Sequence, residues 1–172
     1  MKTLISTVPL LLALSLSALA QTSNSSRGQG YLFFAPGVAR GNSRLPSTEP
    51  GKTTRAAVHI GGGGEGFVYK GLGLGAEIGA VGPWSEFSEA FGLGSANLSY
   101  HFLPGASERK LEPFVSVGYT LFFRAGVTHG VNAGVGINRW LNKHVALRFE
   151  VRDNVEGGHG HLIGFRIGVT LK

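Results

Sequence analysis

The sequence predicts an all-β protein, an eight-stranded antiparallel up-and-down β-barrel, and three observations lead there. Apolar and polar residues alternate with a period of two in segment after segment, the spacing that sends successive side chains to opposite faces of a strand. Clusters of Gly, Pro, Asn, Asp and Ser punctuate these segments and divide them into about eight. Beyond the first twenty residues no segment carries a convincing helical pattern.

The closing thirty residues, Lys143 to Lys172, set the rule for the rest. Val145, Leu147, Phe149 and Val151 share one face, against Ala146, Arg148, Glu150 and Arg152 on the other. After the loop-like run Asp153 to Gly160, Ile163, Phe165, Ile167, Val169 and Leu171 oppose Gly164, Arg166, Gly168 and Thr170. The pair reads as a hairpin with one continuous apolar face and one charged face.

Taken in order, Met1 to Ala20 has the charged start, apolar middle and small-residue exit of a secretory signal peptide, with cleavage expected after Ala20. Gln21 to Gly30 is a polar leader, and the barrel is expected over residues 31–172. Tyr31 to Arg40 is the first strand, its parity blurred by Phe33, Phe34 and Pro36; the proline points to an edge or bulge. A long loop through Pro46 and Pro50 leads to strands over Thr54 to Tyr69 and Gly71 to Val81, joined by a tight turn at Lys70-Gly71. Gly82 to Ala90 is a loop, Phe91 to Leu103 a fourth strand, Pro104 to Lys110 a turn and Leu111 to Arg124 a fifth strand. A link through Gly126 and His129 precedes a sixth, in which Val131, Ala133, Val135 and Ile137 oppose Asn132, Gly134, Gly136 and Asn138. Tight links after the second and sixth strands fall at one rim, and the longer links after the first, third and seventh fall at the other.

Composition narrows the function. Charged residues are 15% of the chain, against about 25% in an ordinary soluble domain, and 28 residues are glycine. The net charge of +6 is spread over strand ends and loops, at Arg40, Arg44, Lys52, Arg55, Arg109, Lys110, Lys143 and Lys172, so it forms no nucleic-acid stripe and favours an anionic membrane surface. Cysteine is absent, which excludes disulfides and thiolate chemistry.

Alternation alone does not decide which face is outside. A soluble lipocalin-like barrel around an apolar ligand has its apolar face inward; a transmembrane barrel reverses it. The polar face here is rich in Gly, Ser and Asn, which fit a crowded interior, and its strand-borne charges balance: Glu65, Glu77 and Glu150 against Arg148, Arg152 and Arg166. These six are the candidate interior charge network. Aromatic residues recur near strand ends, with Tyr31, Tyr69, Tyr100, Phe102 and Trp140 toward one rim and Trp84, Phe87, Phe91 and Phe123 toward the other, as in two interfacial girdles. The expectation is therefore a transmembrane β-barrel.

With its signal sequence, the run GLGLGAEIGAVGPW and the closing strands ALRFEVRD and GFRIGVTL, the chain resembles the bacterial outer-membrane β-barrel family, in the architecture of the outer-membrane-protein-A transmembrane domain. The resemblance covers residues 21–172. It implies location in the bacterial cell outer membrane, contact with outer-membrane lipids, insertion by the barrel assembly machinery, mobile external loops and a monomer. The ending Leu171-Lys172 departs from the aromatic ending usual in that family, and no cell-wall-binding domain is expected after the barrel.

Motifs for chemistry are thin. Gly61 to Gly66 matches GxGxxG, but the residues after it read as strand, where a dinucleotide site requires a helix. His159 and His161, with His129 or Asp153, lack the spacing for a third metal ligand and read as a solvated pair. No nucleophile is set beside a base. The sequence thus predicts no catalytic residues, no metal and no cofactor, but a non-enzymatic outer-membrane barrel with a structural or surface-interaction role and at most a narrow, gated, porin-like water path. The alternatives are the soluble lipocalin-like barrel and a membrane-embedded lipid-modifying enzyme.

Overall fold

The computed structural model describes residues 28–41, 54–102, 110–124, 126–157 and 160–172. The signal segment, most of the first long loop, the Pro104 to Lys110 turn up to residue 109, and His159 lie outside the described residues. Eight strands follow in chain order: β1 (Gly28–Gly41), β2 (Thr54–Tyr69), β3 (Leu72–Pro83), β4 (Phe91–His101), β5 (Leu111–Phe123), β6 (Val127–Trp140), β7 (Val145–Glu156) and β8 (Gly160–Leu171). Each pairs antiparallel with its neighbours in sequence, and β1 pairs with β8 to close the barrel. Closure satisfies every strand's hydrogen-bonding edge, which an apolar medium demands.

Several details differ from the sequence reading. β1 starts at Gly28, inside the segment read as a leader, because Gln29 pairs with Glu65 across the barrel wall. The Gly82 to Ala90 loop contains a 3-10 turn at Phe87–Glu89. β6 starts at Val127, so His129 is a strand residue opposite Leu121. The run Asp153 to Gly160 is mostly not loop: β7 continues to Glu156, paired with Gly160 of β8. Its loop-like composition is outweighed by the ladder and by alternation that continues through Asn154, which faces inward. Pro36 marks no edge or bulge. Pairing of β1 with β8 skips Ala35 and Pro36 and resumes in the same register.

The turns have local causes. Lys70 and Gly71 both have positive φ, 29° and 89°, the backbone of a tight hairpin whose twist suits the flanking strands; glycine takes the second position without strain. Between β6 and β7, Asn142 Oδ1 accepts the backbone N–H groups of His144 and Val145 at 2.8 and 2.9 Å. These short links, with the ends Gly28 and Leu171, define a turn rim. The opposite loop rim holds the β1–β2, β3–β4, β5–β6 and β7–β8 connections.

Following paired residues around the wall, from Arg40 through His161, Val155, Val131, Tyr119, Ala96, Ala76 and Gly64, the path returns to β1 at Gly30, ten residues from its start. Such an offset tilts the strands and leaves an eight-stranded interior just wide enough for side chains to fill. Gly37 serves the seam: a Cβ there would lie 2.2 Å from the Ile163 carbonyl oxygen.

The two faces are sorted inside out relative to a soluble protein. Leu32, Leu74, Ile78, Leu98, Val117, Val131, Val135, Phe165 and Ile167 are exposed, whereas Arg152, Arg166 and Glu150 are fully buried. The lipocalin-like alternative requires the reverse and is overturned. Tyr69, Tyr100 and Phe102 at the turn rim and Trp84, Phe87 and Phe123 at the loop rim are exposed as a girdle requires. Tyr31, Phe91 and Trp140 depart from that expectation: the first two are buried, and the Trp140 indole N–H turns to a buried carboxylate, Glu112.

Candidate functional site: the charged lumen

Inward-facing side chains fill the barrel in two unlike zones. Toward the loop rim Ala39, Ala57, Val81, Phe91, Leu93, Phe122 and Leu162 form one buried apolar cluster, contributed by six of the eight strands. Below it, toward the turn rim, lie the charges. A band of neutral groups stands between, where Asn132 Nδ2 donates to Asn97 Oδ1 at 3.0 Å and to Thr120 Oγ1 at 2.9 Å.

All six residues of the candidate network meet in the lumen. Arg166 donates to Glu77 as a fork, Nη1 to Oε2 at 2.7 Å and Nη2 to Oε1 at 2.9 Å, the bidentate geometry that a guanidinium and a carboxylate share. Arg152 bridges, with Nη1 3.3 Å from Glu77 Oε2 and Nη2 2.6 Å from Glu150 Oε1. Glu150 Oε2 accepts from Arg148 Nε at 3.2 Å, and Arg148 Nη1 reaches toward Glu65 Oε1 at 3.7 Å. Parity explains the assembly: Arg148, Glu150 and Arg152 lie two apart on β7 and so share one face, with Arg166 of β8 in the register position opposite Glu150.

Further residues extend the network beyond the sequence reading. The Arg148 guanidinium lies 4.3 Å from the Tyr31 ring centroid and 4.0 Å from that of Phe114, and that of Arg166 lies 4.1 Å from Phe33, so aromatic faces take the sides that carboxylates leave bare. The Tyr31 hydroxyl donates to Glu77 Oε2 at 3.2 Å, and Arg166 Nη2 approaches His59 Nδ1 at 3.4 Å. Glu65 accepts from Gln29 Nε2 at 2.7 Å and from the Ser99 hydroxyl. His101 then joins two carboxylates, Nε2 to Glu65 at 3.1 Å and Nδ1 to Glu112 at 2.7 Å. Glu112 completes the chain at the turn rim with Asn138, Trp140 and Lys172.

Alternation already puts His101 with Ser95, Asn97 and Ser99, and Glu112 with Ser116, on the polar face, so both were open to recognition. Tyr31 was not, because consecutive Phe33 and Phe34 hide the parity of β1; Phe33 is buried and Phe34 exposed.

The other candidates resolve simply. Gly61 to Gly66 is continuous strand within β2. His161 Nδ1 and Asp153 Oδ2 pair at 2.7 Å on the outer face near the loop rim, and His129 Nδ1 bonds the Tyr119 hydroxyl at 2.5 Å. Among the described residues no group of three or more His, Asp or Glu side chains is placed to hold a metal.

Two solved structures share this architecture. The N-terminal β-barrel domain of Pseudomonas aeruginosa OprF superposes with a TM-score of 0.57 at 15% identity, covering 84% of this chain and 98% of that one. Neisserial surface protein A, NspA, superposes with a TM-score of 0.65 at 14% identity, covering 87% and 99%. No protein-family model matches the chain, and no curated protein matches it.

Proposed function

We propose that this chain, which has the fold of an eight-stranded outer-membrane β-barrel, is a non-enzymatic integral protein of the bacterial outer membrane, closed to solutes and serving as a rigid support for the segments at its loop rim. One observation carries the reading: the lumen is occupied along its length, by paired charges in one zone and by packed apolar side chains in the other. A solute path needs continuous water, and the cluster around Leu93 and Phe122 interrupts it. The apolar exterior and the rim aromatics support residence in a bilayer, because an exterior of exposed Leu, Ile, Val and Phe does not stay dispersed in water.

The outer-face histidines among the described residues sit in pairs, His161 with Asp153 and His129 with Tyr119.

Three measurements test the proposal. The protein should sediment with outer membranes and resist alkaline extraction; release by alkali would refute membrane integration. In planar bilayers the unaltered barrel should show no discrete current steps, and steps would refute the closed lumen. A cysteine at Ser85 should react with an impermeant thiol reagent on intact cells while one at Lys143 stays silent. That pattern places the loop rim outside the cell, and the opposite one would place the turn rim there and refute a surface role for the loop-rim segments.

A further inference from the structure

The turn-rim mouth holds an arrangement that closing the lumen does not need. Lys172 is fixed by its backbone, whose N–H donates to the His144 carbonyl at 2.9 Å, and its side chain folds back into the mouth. The ammonium lies 3.9 Å from the Trp140 ring centroid, 5.8 Å from that of Phe67 and 3.6 Å from Glu112 Oε2. Two aromatic faces and a carboxylate around one nitrogen make a cation cage. Its walls are held independently of the lysine. Glu112 accepts from the Trp140 indole N–H at 3.0 Å and from Asn138 Nδ2 at 3.3 Å, and pairs with His101 Nδ1 at 2.7 Å. Carboxylate and indole therefore keep their places whichever cation they face. The lysine side chain is 21% exposed, so the cage opens to the aqueous side.

We propose that this cage is a binding site for organic ammonium ions, with Lys172 as its tethered occupant. A soluble alkylammonium or polyamine on the turn side enters when the lysine side chain swings out, a movement of a flexible stem that leaves the β8 ladder intact. The tether keeps the lysine at the cage, so a soluble ligand must displace it and the site discriminates against weak ligands while Lys172 is present. Sodium ion, small and strongly hydrated, gains nothing from the aromatic faces, whereas an alkylammonium does.

The test uses the full chain in zwitterionic detergent micelles with Trp84→Phe, which leaves Trp140 as the sole indole of the two in the sequence. Tetramethylammonium chloride is titrated against sodium chloride of equal ionic strength. With Lys172→Met, Trp140 emission should change saturably with tetramethylammonium and not with sodium, at a midpoint at least about tenfold below that of the protein retaining Lys172. Adding Glu112→Gln should raise that midpoint about tenfold. Far-ultraviolet dichroism checks the fold, and Lys172→Gln replaces Lys172→Met should the latter not refold. Equal responses to both salts in the lysine-free variant, or the same midpoint with and without Lys172, would overturn the proposal.

Discussion

At the loop rim the lumen is filled by Leu93, Phe122, Phe91, Val81 and Leu162, and in the lower zone by Glu77, Arg152, Arg166, Glu150 and Arg148. The apolar cluster is a sum of contacts: each side chain adds its own burial, and losing one leaves a void of limited cost. The ionic zone is a circuit, in which each carboxylate serves more than one cation, so removing one group leaves its partners buried without compensation. The same narrow interior is thus closed once by contacts that are lost one at a time and once by a circuit whose members fail together.

The largest effect is expected where the circuit has its hub. Glu77→Gln withdraws the charge that faces both Arg166 and Arg152, and should cost about 3–5 kcal/mol in urea unfolding from lipid vesicles. Leu93→Ala, in the apolar zone, should cost about 3 kcal/mol by the same measurement and should not alter the cost of Glu77→Gln when the two are combined. Strong coupling between them would dissolve the distinction between the zones.

A finer test lies within the circuit. Arg148→Met and Glu150→Gln should couple by about 1–2 kcal/mol in a double-mutant cycle, and Arg148→Met with Glu77→Gln by less, because Arg148 touches Glu150 at 3.2 Å while Glu77 faces the other two arginines. Equal coupling would mean that water in the lumen levels the individual contacts. The smallest effect belongs to neither zone. Asp153→Asn breaks only a partly exposed pair on the outer face and should change stability by under about 1 kcal/mol.

Much of this was legible because a strand's period is two and membrane barrels obey it on both faces. Arg148, Glu150, Arg152 and Arg166 could be set inward from β7 and β8 alone. What stayed hidden has physical causes. In β1 the pattern fails at Phe33-Phe34, since a large aromatic residue suits the lumen, where Phe33 backs Arg166, as well as it suits lipid. Asp153 resembles a loop residue by composition, yet near a rim an outer-face charge costs little, so β7 runs on through it. The apolar zone was invisible for a related reason: Leu93, Phe91 and Phe122 sit at inward positions where parity leads one to expect polar groups.

The ten-residue offset at closure also has a consequence in time. Gly30 must find Leu171, at almost the full length of the barrel's chain, before the last seam can form. Every other pairing joins neighbours in sequence, so the barrel combines seven local hairpin contacts with one of very high contact order. Until that seam zips, β1 and β8 each present a row of unpaired N–H and C=O groups that hydrocarbon does not solvate. An open sheet is therefore no resting place inside a bilayer. Insertion and closure must be nearly concerted, or the two free edges must be sheltered until they meet.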